Sequence, residues 1–123
     1  MQKLAKLTLY LDDDRHGEIS RLHRDHVTGE WELILNPAAD KFNVPKYGEQ
    51  TKDILAHELG HFVDEVFNSP AEIDRRAQLP PSLTEERRAW TYGRMIKPDL
   101  DREIERMAVG AYMEGMFRGL VRP

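Results

Sequence analysis

Three residues within five carry the chemistry legible in this chain: His57, Glu58 and His61, in the run His57-Glu58-Leu59-Gly60-His61. On an α-helix, positions four apart lie one turn above another, so the two imidazoles point the same way and can share one metal ion. Glu58, rotated from His57 by about 100°, is placed to hold a metal-activated water without being a ligand itself. Two nitrogen ligands and one general base are the equipment of a zinc hydrolase.

A catalytic zinc normally takes three protein ligands. The chain has no cysteine, so the third must be another histidine or an acid. Asp64 shares the helix face, but seven residues at 1.5 Å rise put it about 10 Å from His57 along the axis. Glu65 fails for the same reason. His16, His23 and His26 precede the motif in strand or turn segments and read as exposed histidines. Acids on two later helices remain. Glu86 begins Glu86-Arg87-Arg88-Ala89-Trp90 and shares a face with Ala89, Trp90 and Gly93, where a carboxylate among small and aromatic residues suits a buried metal. Glu85 and Glu105 stay open as rivals, although Glu85 has a capping role of its own.

Periodicity outlines the scaffold around these residues. Leu7, Leu9 and Leu11 share one face of a strand within residues 3–11. Asp12-Asp13-Asp14 and Gly17 then make a polar turn, without the ligand order of a calcium loop. Residues 18–27 admit a strand or a short helix, and Thr28-Gly29 reads as a hairpin turn. Trp31, Leu33 and Leu35 alternate and define a strand that stops at Asn36-Pro37, before a loop over residues 37–50. A small antiparallel sheet of about three strands is expected.

Residues 50–67 read as the helix bearing the motif. Ile54, Leu55, Leu59, Phe62, Val63 and Val66 recur at helical spacing, with Leu55, Leu59, Phe62 and Val66 roughly opposite the histidines. One face would then pack on a core while the other looks into a cleft. Gly60 admits close approach of another backbone, despite costing about 1 kcal/mol of helix propensity relative to Ala. Ser69 with Pro70 and Glu72 caps a helix over 70–78. Ser82 with Glu85 caps another over 83–96. A last helix over 99–119 carries Leu100, Ile104, Met107, Ala108 and Ala111 as its apolar stripe. Strands first and helices after predict an α+β fold in one domain spanning residues 1–123.

Composition sets the outer limits. The chain has 123 residues, 33% of them charged, and a net charge of −4. That charge argues against sequence-independent nucleic-acid binding, which needs a basic surface. The absence of cysteine fits a reducing cytosol, no apolar leader opens the chain, and no stretch approaches a membrane span. A cytoplasmic protein with no membrane partner is the expectation. Oligomeric state is not set, although Met113, Met116, Phe117 and Leu120 offer apolar surface to another subunit.

Over residues 31–115 the sequence resembles the gluzincin metallopeptidases, and among them the small intracellular ImmA/IrrE-like peptidases. The strand ending Leu35-Asn36-Pro37 precedes Thr51-Lys52-Asp53-Ile54-Leu55-Ala56-His57-Glu58-Leu59-Gly60-His61, much as that family runs from strand into active-site helix. Its third ligand is typically a glutamate three residues before an alanine on a later helix. Glu86 and Ala89 match that spacing, with 24 residues between His61 and Glu86. Tyr92-Gly93 and Met95-Ile96-Lys97-Pro98 loosely match the family's next segment. The chain departs at Trp90, where closer relatives often carry Asn or Asp, which puts in question the polar contact made from that position.

The resemblance implies a zincin-like fold, Zn2+ held by His57, His61 and Glu86, Glu58 as general base, and a peptide or protein substrate. Trp31–Leu35 is the strand edge expected to align an extended substrate, with Tyr92 and Tyr112 as candidate oxyanion donors. Two rivals stand beside this hydrolase. One is a latent, metal-stabilised binding or regulatory module, with residues 69–82 covering the site. The other is a DNA-associated protease of the SprT type, which the acidic net charge disfavours.

Overall fold

Trp31 and Leu33 are the inward-facing residues of the strand around which the sheet is built, and both are buried. The computed structural model describes residues 6–11, 20–25, 27–35 and 49–123. Three strands, β1 (Leu7–Leu11), β2 (Ser20–Arg24) and β3 (Trp31–Leu35), precede four helices. These are α1 (Glu49–Val66), α2 (Pro70–Ala77), α3 (Leu83–Ile96) and α4 (Arg102–Phe117). The fold is α+β, as the order of patterns predicts. The Asp12–Gly17 turn, the loop over 37–48, His16 and His26 lie outside the described residues.

The sheet is mixed, not antiparallel. Its order is β1-β3-β2. β2 and β3 form an antiparallel hairpin with Leu22 opposite Leu33, whereas β1 runs parallel to β3 with Leu7 opposite Trp31. The hairpin turns where expected: Asp25 accepts from the amides of Val27 and Thr28, and Gly29 takes the positive φ of 74° that favours glycine. β3 is the most deeply buried strand and takes the centre, with a partner on each side. Its edges are therefore occupied, and it cannot accept an added substrate strand. That capacity passes to β1 or β2. Alternation identifies strands but says nothing about their partners, which is why the parallel pairing is not legible in the sequence.

Helix α1 lies between this sheet and α3. On the sheet side Phe62 meets Trp31 edge-to-face, ring centroids 5.3 Å apart, an arrangement worth about 0.5–1.5 kcal/mol beyond its buried area. Because α1 covers β2 and β3, Leu9 on β1 remains 47% exposed instead of joining the core. On its other side α1 runs antiparallel to α3, tied at one end by Lys97 to Asp53 (2.7 Å) and at the other by Arg88 to Asp64 (2.9 Å).

The most buried face of α1 is the histidine face itself. Ile54, Ala56, His57 and Gly60 are buried, whereas Leu55, Leu59, Phe62 and Val66 are only half-buried. The expected division into a core face and a cleft face is thus incorrect, because α3 packs directly over the motif. Ala56, Trp90, Leu100, Ile104 and Ala108 form the core between α1, α3 and α4. Leu100, just before α4, and Ile104 and Ala108 on it are buried, whereas the anticipated Met107 and Ala111 are exposed.

The caps form as predicted. Ser69 accepts from the Glu72 amide at α2, and Ser82 from the Glu85 amide at α3. The chain end is also tied down, with Arg122 bridging to Ser82 and the Ser82 hydroxyl donating to the Pro123 carbonyl (2.9 Å). No described helix is long and apolar enough to cross a membrane.

Candidate metal centre

Small residues set how closely α1 and α3 approach. A Cβ on Gly60 would lie 2.0 Å from the Ala89 carbonyl oxygen, and one on Gly93 would lie 3.2 Å from that of Ala56. Backbone therefore meets backbone at the crossing. The close approach carries Glu86, near the start of α3, onto the two imidazoles of α1.

Glu86 then spans the histidine pair. Its Oε1 lies 2.7 Å from His57 Nε2 and its Oε2 2.9 Å from His61 Nε2. Donor atoms of His57, His61 and Glu86 all fall within 4.8 Å of one another, and these three residues could hold a metal ion. A tetrahedral ion with bonds of about 2.0–2.1 Å needs its ligand atoms about 3.3 Å apart, within reach of small side-chain adjustments. The chemistry of the set, two imidazoles and a carboxylate, suits a divalent metal. His57 Nε2 adds a second sign: it is buried and, despite the short distance to Glu86, makes no aligned hydrogen bond among the described residues. Buried polar atoms are rarely left so, and a cation would satisfy it.

The surroundings of the cluster are aromatic and anionic. Trp90 stacks on His57 with centroids 4.0 Å apart and planes 14° apart. Its indole N–H donates to Glu86 Oε1 at 3.1 Å. The polar contact placed in question by a tryptophan at this position is therefore made, by the ring nitrogen. Glu58 supplies no donor atom to the cluster; its Oε1 lies 3.5 Å from His57 Nδ1.

The charges reinforce one another. Burial lowers the tendency of His57 to protonate, but Glu58 and Glu86 outweigh it and raise its pKa. Burial pushes the Glu86 carboxyl up, yet the adjacent His57 and His61 hold it well below the usual carboxylate range. Burial, with the Glu86 and Glu58 carboxylates nearby, raises the Tyr112 hydroxyl above its ordinary value. Tyr112 thus faces the cluster from α4 as a neutral phenol. Tyr92 makes no hydrogen bond to the cluster among the described residues.

Geometry also separates the three acids left open by the sequence. Glu85 turns toward Arg76 (3.7 Å) and Arg122 (3.8 Å). Glu105 pairs with Arg94 and sits 3.9 Å from Arg102. Only Glu86 joins the histidines. Asp64 is held by Arg88, and His23 is exposed. The stacking and donor role of Trp90 was missed, although its position four residues after Glu86 already put both on one helix face. Comparison with protein-family models, with curated proteins and with solved structures finds no significant match to this chain.

Proposed function

We propose that this chain is a zincin-like, zinc-dependent metallopeptidase. The observation that carries the reading is the convergence of His57 Nε2, His61 Nε2 and the Glu86 carboxylate, with Glu58 beside them and outside the ligand set. Zinc is preferred to other divalent ions because two imidazoles and one carboxylate, without further oxygen donors, match its ligand habit. When bound, zinc supplies Lewis-acid polarisation of water and of a carbonyl oxygen.

The residues of the chain do the rest. His57 and His61 bind as neutral imidazoles through Nε2, and the Glu86 carboxylate offsets part of the cation's charge. Trp90 holds both His57 and Glu86 in place, by its ring face and its N–H. The Glu58 carboxylate accepts the proton of the attacking water and delivers it to the departing amine. Tyr112, kept neutral by its surroundings, keeps its proton and donates a hydrogen bond to the oxygen on which negative charge develops. An extended substrate is aligned by edge strand β2, in place of the central strand expected from sequence.

One observation favours a second reading, a metal-stabilised binding module: the side chains of His57 and Glu86 are only 4% and 2% exposed. Glu58→Gln separates the two. In a peptidase, the variant keeps stoichiometric zinc by elemental analysis and loses about 10²–10⁴-fold in turnover of a peptide library. A wild-type protein that binds zinc and cleaves no peptide would establish the binding module instead.

A further inference from the structure

The face of α1 that carries His57 and His61 continues to Glu65, one turn beyond His61. At 1.5 Å per residue this is about 6 Å further along the axis. There Glu65 lines a cleft of about 590 Å³ between β2, the end of α1, and α2. Leu22, Trp31 and Ile73 supply apolar wall, and Arg24, Asp74, Arg76 and Glu85 supply charge.

The charges in this cleft pair off with one exception. Arg24 Nη1 lies 3.4 Å from Asp74 Oδ1, joining β2 to α2. Arg76 Nε lies 2.9 Å from Glu72 and 3.7 Å from Glu85, and Glu85 also has Arg122 at 3.8 Å. Glu65 is half-buried, and among the described residues its carboxylate has neither a hydrogen bond nor an ion pair. Burial raises its carboxyl above the usual value; His61 opposes the rise, Glu85 and Asp64 add to it, and Arg76 lowers it. A partly desolvated carboxylate beside two others gains from a cation that the protein itself does not provide.

We propose that this cleft receives a lysine or arginine side chain of the substrate, close to the cleaved bond, with Glu65 as its counter-ion. The proposal rests on the peptidase reading and adds the substrate class. The cleft adjoins the candidate metal centre: Glu65 follows His61 by one helical turn, and Glu85, the neighbour of Glu86 on α3, also lines it. Leu22 and Trp31 offer apolar surface to the methylene stem of such a side chain, while its charged head reaches the carboxylate.

The zinc-loaded full chain and Glu65→Gln are compared on matched peptide libraries, with cleavage sites mapped by mass spectrometry. The expected result is a preference of about tenfold or more for sites flanked by Lys or Arg over Ala. That preference falls to within about twofold in Glu65→Gln, with zinc content unchanged. Glu65→Arg shifts it toward Asp and Glu. Cleavage without basic preference, or a preference that survives Glu65→Gln, overturns the proposal. A parallel arm measures fluorescence anisotropy of two labelled peptides differing by one Arg→Ala change. If nothing is cleaved, the peptidase reading falls and this arm decides for the cleft alone. Tighter binding of the arginine peptide, lost in Glu65→Gln, upholds the role of Glu65, and equal binding of the two peptides removes it.

Discussion

The indole of Trp90 lies flat on the imidazole of His57, centroids 4.0 Å apart, while its N–H reaches past that ring to Glu86 Oε1. One side chain thereby orients two of the three candidate ligands. Trp90→Phe keeps a stacking ring and removes the donor. Metal affinity, measured by competition with a chromogenic chelator, is expected to fall about 10-fold with little change in melting temperature. Trp90→Ala also opens a cavity at a residue only 2% exposed, costing about 3–5 kcal/mol in chemical denaturation. Equal metal affinity in wild type and Trp90→Phe would show that the N–H contact does not tune the site.

Removal of the proposed third ligand has a sharper signature. Glu86→Ala is expected to weaken zinc binding by more than about 100-fold. Glu85→Ala and Glu105→Ala should bind as wild type, since their carboxylates are engaged with arginines elsewhere. Isothermal titration of the three variants distinguishes them, and loss of binding in Glu105→Ala would displace Glu86 from the assignment.

Helix approach makes opposite predictions for two glycines. Gly60→Ala places a methyl 2.0 Å from the Ala89 carbonyl oxygen, so the helices must separate. A loss of about 3 kcal/mol is expected in urea titration, more than the gain in helix propensity. Gly110, in the middle of α4, has nothing within 4 Å of the added carbon. There Gly110→Ala should stabilise the protein by about 0.5–1 kcal/mol.

On the proposed reading, metal and protons would compete for the same imidazoles. His57 has its pKa raised in the metal-free fold. That contribution to stability is fully present below the ordinary histidine value of about 6.5 and is lost as pH rises through the raised folded value. Zinc binding requires the neutral ring, so its affinity changes in the opposite sense and increases with pH. The zinc-induced rise in melting temperature is therefore expected to be larger at pH 8 than at pH 6, as read by differential scanning calorimetry. A zinc effect independent of pH across this interval would exclude histidine ligation.

Much of the local geometry is set by covalent order alone. His57, Glu58 and His61 are related by helical repeat, and their spacing on one helix sets that relation before any packing occurs. The caps at Ser69 and Ser82, the turn at Gly29 and the inward face of Trp31 and Leu33 are equally local, each depending on residues within a few positions. Packing settled what no local rule contains. Local pattern favoured Glu86 without removing Glu85 and Glu105 as rivals; the antiparallel packing of α3 on α1 at Gly60 and Gly93 turned Glu86, and neither of the others, onto the imidazoles. The central place of β3, and with it the choice of edge strand, likewise came from pairing between distant segments. Burial of the histidine face had the same origin, because amphipathic spacing marks the apolar residues of α1 but not the neighbour that will cover its opposite side.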